Sequence, residues 1–392
     1  MTPEEIELLS ELTIVIPTCN RPLELERAIE YWRDTPVTIH ILDGSDDPWF
    51  PVGLLPEVDS IFYHHLPAYS GEVWSVNYAR RLRFAATLPD TKYSALCADD
   101  DFFTKSGLVV VCEDLNRFRQ IDAVVGICSE YSVTESTANW HLRYDAWRSS
   151  AGSKSSDVVT RVLDEDGSFY LYYGIIRTSV FKNIILNVFK NEYQHDYLYE
   201  PLFDAIGRAY CRTEVIRQIL WIKKSWVINP NVPTAANRIR SADWFRSKQN
   251  QVDVSAFQDQ VADGISSLLG DIDGKTIGRK LSKKITKKYL KNSETMKFRK
   301  KKKRILRILV LSGRYVPKSL KRLINEMLPL KIQAQTGFST LPLLELNKSD
   351  LLLDDFMRQI DRTDITFFPK DLKEIEELIL KPREELRLRA NI

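Results

Sequence analysis

The sequence predicts an α/β protein: a mostly parallel, Rossmann-like sheet flanked by helices, followed by a basic, mainly helical C-terminal extension. Three observations carry that prediction. Short β-branched runs alternate with segments of helical apolar period, and those runs are apolar on both faces, as strands covered by helices on each side must be. The charge also changes sign along the chain. Residues 1–264 hold 26 Lys and Arg against 37 Asp and Glu, a balance of −11, whereas residues 265–392 hold 30 against 16, a balance of +14. Such a split predicts two regions with two tasks, 1–264 as the sheet domain and 265–392 as the extension.

The elements follow in order. "LTIVIP" (Leu12–Pro17) reads as a buried strand stopped by proline. "TCNRP" then opens a helix, with Asn20 as its expected cap and Pro22 in its first turn. Leu25, Ala28, Ile29 and Trp32 recur at i, i+3, i+4 and i+7, one apolar face. "VTIHILDGS" (Val37–Ser45) is a second strand that breaks at Asp43-Gly44, and "SIFYHH" (Ser60–His65) a third. A helical pattern covers Gly71–Thr87, and "KYSALCA" is the next strand. A helix is expected over Ser106–Arg119 and a strand over Asp122–Ser129. Residues 130–175, richer in Ser, Thr, Trp and Tyr, predict an irregular or antiparallel insertion over the end of the sheet.

Several function classes are disfavoured. No apolar run reaches the ~18 residues of a membrane span, and the acidic start "MTPEEIELLSEL" lacks the order of a signal peptide. Five cysteines without C-x-x-C spacing, four of them in or beside apolar runs, predict buried free thiols and a reducing, cytoplasmic setting. His64, His65, His141 and His195 have no zinc-site spacing. Neither a G-x-x-x-x-G-K-[ST] nor a G-x-G-x-x-G phosphate loop is present.

The feature that demands chemistry is "KYSALCADDDFF", a strand that stops on Asp99, Asp100 and Asp101. In an open α/β sheet, ligands bind at the carboxyl ends of strands, so Asp43 and the aspartate triplet belong to one rim. Crowded carboxylates become stable when a divalent cation sits among them, and Mg²⁺ or Mn²⁺ prefers such oxygen ligands. A solvated acidic turn is the plainer alternative.

"LTIVIPTCNRP", "IHILDGS" and "SALCADDDF", in that order, resemble the opening of the GT-A nucleotide-sugar glycosyltransferases, close to glycosyltransferase family 2. The likeness covers residues 12–103 well and extends loosely to about residue 240. It implies a GT-A fold, a nucleotide-sugar donor with a UDP-sugar expected first, and a Mn²⁺ or Mg²⁺ cofactor. It also implies a metal-dependent, inverting transfer of a hexose-type sugar to a glycan or lipid-linked acceptor. By the same likeness Pro17, Thr18 and Arg21 form the loop beside the nucleotide, and Asp43 binds its base or ribose. Asp99 and Asp101 match the two acids of the D-x-D motif, with Asp100 between them in the nucleotide site. Asp101 is the expected direct metal ligand; Asp99 is assigned the metal, the ribose or a water-mediated contact. Asn77 matches an asparagine on the helix before that strand.

The resemblance also requires a base for the acceptor hydroxyl in "NEYQHDYLYEPLFDAIGRAY" (Asn191–Tyr210). Glu200 is the first choice, because Pro201 places a helix start there and the helix dipole favours an ionised acid. Asp196 and Asp204 flank it at four-residue spacing, and the usual adjacent Glu-Asp pair is missing. In "FYLYYGIIRTSVF" (Phe169–Phe181), Arg177 is expected on phosphate, with Tyr172 and Tyr173 stacking on a sugar. A core strand with a surface arginine is the alternative.

Between Arg279 and Arg304 there are 14 Lys or Arg and one acid, Glu294. Leu281, Ile285 and Tyr289 at helical spacing predict a basic amphipathic surface over 279–322, suited to the anionic inner face of a membrane. A solvated helical extension is the alternative; the lack of a recognised module or aromatic platform argues against nucleic acid. Residues 341–392 are expected to fold back or to mediate assembly. Two further classes remain: a sugar-nucleotide nucleotidyltransferase, disfavoured by the glycine-free "IPTCNRP", and a non-catalytic basic scaffold, disfavoured by the intact acidic rim.

Overall fold

The computed structural model describes residues 1–49, 59–134, 136–143, 147–164, 166–167, 169–193, 198–225, 250–269, 275–283 and 351–382. Its strands are β1 (Leu12–Thr18), β2 (Thr38–Asp43), β3 (Ile61–His65), β4 (Tyr93–Leu96), β5 (Phe102–Phe103), β6 (Ala123–Thr134), β7 (Thr137–Leu142), β8 (Ile175–Arg177) and β9 (Thr213–Lys224). They form one sheet in the order β3-β2-β1-β4-β8-β6-β9-β5, with β7 paired to β6 off that path. The β3-β2-β1-β4 half is parallel, as is the β6-β9 pair. Antiparallel pairing is confined to β8, to the β6-β7 hairpin and to β5 against β9. This is the mixed, mostly parallel α/β sheet that the alternation of elements predicts.

Helices α1 (Pro3–Ser10), α2 (Pro22–Trp32), α3 (Trp74–Ala85), α4 (Lys105–Arg117), α5 (Val158–Leu163), α6 (Thr178–Val188), α7 (Tyr199–Tyr210) and α8 (Gln251–Leu269) flank that sheet. All four residues of the expected α2 face are buried. Asn20, however, does not cap this helix. It adopts a left-handed φ of 54° and gives its N–H to Ser45 Oγ at 2.8 Å, which leaves Arg21 as the N-cap residue. The Asn20 backbone N–H instead ties the β1 loop to the β2 loop. The strand anticipated as "KYSALCA" contracts to Tyr93–Leu96, and the insertion expected over 130–175 contains the β6-β7 hairpin.

After α8 and a short helical stretch over 275–283, the described chain resumes at Leu351 and returns to the sheet. Leu351 bridges to Trp140 of β7 and Thr366 to Gln218 of β9. Helices α9 (Leu353–Ile360) and α10 (Pro369–Leu380) bury Phe356, Ile360, Leu372, Ile375 and Ile379 in the same core as β1. Each such side chain stabilises the fold by about 1.5–3 kcal/mol before the entropic cost of ordering it. Residues 351–382 thus fold back, and they share a core with the region expected to end at residue 264. Most of the basic stretch 279–322 lies outside the described residues.

Candidate active site

The parallel strands deliver their carboxyl ends to one rim, where the loops after β1, β2 and β4 meet. Thr18 pairs in register with Asp43, and Cys97 N–H donates to Val15 O at 3.1 Å, which aligns the end of β4 with β1. Asp99, Asp100 and Asp101 are all buried there. Arg21 spans two of them, with one nitrogen 2.5 Å from Asp99 and the other 2.5 Å from Asp100. Thr18 Oγ1 donates to the second Asp99 oxygen at 2.7 Å. Asp101 is held from β9, accepting from the Trp221 indole N–H at 3.1 Å and the Lys224 backbone N–H at 3.0 Å. The triplet is therefore no solvated turn: its carboxylates are held by β1, α2 and β9.

Charge at this rim is only partly compensated. Burial pushes the Asp99 carboxyl above its ordinary value; Arg21 pulls it back and Asp100 pushes it up again. Burial likewise raises Asp101, with Asp100 adding to the effect and Lys223 opposing it. For Arg21, burial works against the charge, but Asp99 and Asp100 outweigh it and hold the guanidinium firmly protonated. Among the described residues no group of three His, Cys, Asp or Glu side chains encloses a metal by itself. Mg²⁺-type sites commonly use only one or two carboxylates and take their remaining oxygens from phosphates and water. The Asp99 and Asp101 oxygens are hard donors of the kind such an ion takes, though each already accepts a hydrogen bond that the ion would share or displace.

Asp43 is fully buried and already engaged. Its Oδ1 accepts from Ser45 N–H and Ser45 Oγ at 2.9 and 2.5 Å, and its Oδ2 from Tyr63 Oη at 2.5 Å. Asn77 sits beneath the same turn, donating to Leu66 O at 3.0 Å, and Arg81 on α3 donates to Thr18 O and Leu42 O at 2.6 and 2.7 Å. A Cβ on Gly44 would lie 2.6 Å from Asn77 Oδ1 and 2.7 Å from the Arg81 guanidinium, so any side chain there would have to displace these α3 groups from the turn. Pro17 and Thr18 end β1 beside it.

Glu200 lies in the first turn of α7, exposed, and accepts from Tyr173 Oη at 3.0 Å. The Tyr173 ring stacks on Trp221 at 3.5 Å between centroids, and Trp221 in turn holds Asp101. One aromatic step therefore joins the candidate base to the acidic rim. Tyr172 is hydrogen-bonded to Tyr78 of α3 on the same wall. Asp204 is not available as a partner of Glu200, because it accepts from Leu171 N–H and Arg208 at 3.3 Å each. Asp196 lies outside the described residues.

Arg177 is a correction. It pairs with Tyr93 at the opposite end of β4 from the aspartates, and its guanidinium donates to Ile121 O and Leu115 O at 2.9 and 2.6 Å. Its charge serves carbonyls at and just beyond the C-terminal end of α4, at the end of the sheet opposite the aspartates. β9 lies in "TEVIRQILWIKK", a β-rich run in which no local pattern shows that Trp221 and Lys224 reach the aspartates or that Lys223 stands near them. Arg81, Ser45 and Tyr63 likewise act through contacts between distant segments.

No family model matches the chain, and no curated protein matches it in sequence. Among solved structures, it is similar to TarS of S. aureus, at 12% identity and a TM-score of 0.36 over 71% of this chain and 55% of that one. The 1–349 portion of TarS in complex with UDP aligns at 13% identity and a TM-score of 0.41 over 89% of this chain and 90% of that one. The same portion in complex with UDP-GlcNAc aligns at 10% identity and a TM-score of 0.38 over 72% and 91%.

Proposed function

We propose that the chain is a nucleotide-sugar-dependent glycosyltransferase, using Mn²⁺ or Mg²⁺ and transferring a hexose with inversion to a glycan or lipid-linked acceptor. The observation that supports this most directly is the burial of three adjacent carboxyl groups at the carboxyl end of a parallel sheet, two of them paired with Arg21. A nucleoside diphosphate, UDP in the first instance, lies along the rim between the Asp43–Ser45 turn and Asp99–Asp101. A divalent ion held by Asp99 and Asp101 would supply Lewis-acid stabilisation of the departing diphosphate. Arg21 fixes the orientation of Asp99 and Asp100. Trp221 and Lys224 do the same for Asp101, so little reorganisation is needed when the sugar–oxygen bond breaks. Glu200, kept in place by Tyr173, takes the proton of the acceptor hydroxyl; Tyr172 and Tyr173, expected to stack on a sugar, are instead buried against Phe203 and Trp221 and back this wall from within.

The test is a thermal-shift screen of the full chain with UDP-, GDP-, CMP- and dTDP-sugars, each with and without Mn²⁺. The expected result is stabilisation by one nucleotide class that depends on the metal. If none of them shifts the transition under either condition, the transferase reading fails.

A further inference from the structure

The helix that follows the aspartates, α4, is capped by a residue from the other end of the chain. Its own N-cap, Thr104, makes no side-chain cap bond; the hydroxyl donates instead to Ile219 O of β9 at 3.0 Å. The free helix-end amide of Ser106 is satisfied by Asp371 Oδ2 at 2.8 Å, and Ser106 Oγ donates to Asp371 Oδ1 at 3.0 Å, across a separation of 265 residues. Asp371 is 3% exposed, and Glu374, one turn on, is paired with Lys105. The same α10 holds α2: Arg27 donates to Ile379 O at 2.8 Å, and Lys381 lies 3.2 Å from Glu30. The two helices are also joined directly, through Tyr31, whose hydroxyl donates to Phe103 O at 2.8 Å and whose ring faces the Lys105 ammonium at 4.3 Å.

These contacts converge on one place. Arg21 stands at the start of α2 and Asp99–Asp101 directly before β5 and α4, so the helices fastened by α10 are the two that carry the halves of the Arg21–carboxylate pair. We propose that residues 351–382 form a strap that sets the acidic rim, with Asp371 as a positioning residue for the Asp99–Asp101 loop. The role of the rim in donor binding rests on the function proposed above; the strap itself does not.

The experiment compares full-length wild type with Asp371→Ala and Asp371→Asn. Asparagine keeps an oxygen for the Ser106 amide and so should rescue. The first readout is amide hydrogen exchange without ligand. Exchange over residues 99–106 is expected to accelerate at least tenfold in Asp371→Ala, to stay within about threefold of wild type in Asp371→Asn, and to be unchanged in β2 and β3. Acceleration confined to the first turn of α4, or spread evenly over the chain, overturns the proposal. The second readout is donor KM against kcat, with a rise in KM of at least fivefold in Asp371→Ala and a return towards wild type in Asp371→Asn. An unchanged KM overturns the strap's link to the site. If wild type binds no nucleotide, the transferase reading falls while the exchange data still judge the strap. If the alanine variant does not fold, Ser106→Ala gives the same exchange comparison, with a smaller acceleration over 99–106 expected and none overturning the proposal.

Discussion

Arg21 carries the single-residue argument. Replacing it by methionine keeps the stem but leaves Asp99 and Asp100 buried without their cation. Loss of one partner of a fully buried pair costs about 3–5 kcal/mol. Because the Arg21 side chain is 30% exposed, the expected loss at neutral pH is smaller, about 2–3 kcal/mol. The sign of the pH effect follows from the raised Asp99 and Asp101 carboxyls. Stability that groups with raised values contribute is complete below their ordinary carboxylate range and is lost as pH rises through the raised values. Urea unfolding of Arg21→Met should therefore approach wild type near pH 4 and diverge from it with rising pH, and Mn²⁺ should narrow the gap. An equal deficit at all pH values would contradict this account. Glu200→Gln tests a different step. It should abolish transfer and leave the donor-induced thermal shift unchanged; retained turnover would move the base assignment away from Glu200.

At the level of elements, the strands were legible in the sequence wherever burial on both faces produced unbroken apolar runs. The acidic rim was legible because three carboxylates ending such a run have few tolerable explanations. What escaped detection was pairing. Phe102–Phe103 becomes a strand only because β9 lies beside it, and Asn20 misses its cap role because its backbone turns left-handed one residue before the helix, leaving Arg21 at the N-cap. Arg177 misled for a similar reason, since a Gly-x-x-Arg pattern does not say which end of a strand it will occupy. The β2-β3 pair makes its own prediction. His40 Nδ1 lies 3.0 Å from His64 Nε2, and burial together with His64 pushes His40 down to about 4. A group lowered in this way stabilises fully above its unfolded value near 6.5 and loses that contribution as pH falls towards 4, up to about 3 kcal/mol in all. Between pH 7 and pH 4.5 the urea midpoint of wild type should fall relative to that of His40→Gln, which lacks this contribution. A gap between the two that stays constant with pH would sink the assignment.

For the whole molecule, the division of charge points to a second task for the basic stretch. Attraction to anionic lipid supplies about 1 kcal/mol per basic residue near the surface. Deleting residues 279–322 should abolish co-sedimentation with phosphatidylserine vesicles and spare nucleotide binding. Unchanged sedimentation would defeat the membrane reading and leave a solvated extension. The return of residues 351–382 to the sheet was only half legible: helical patterning was visible, but the surface it covers was not.

The span between Ser106 and Asp371 also matters during biosynthesis. At roughly 5–20 residues per second, a ribosome needs on the order of 15–50 s to cover the 265 positions between them. Through that interval the aspartate loop is already made but its fastening is not. A nascent chain stalled or clipped before its last forty or so residues would hold a nearly complete sheet with an unlatched rim, visible to proteases and chaperones as unfinished.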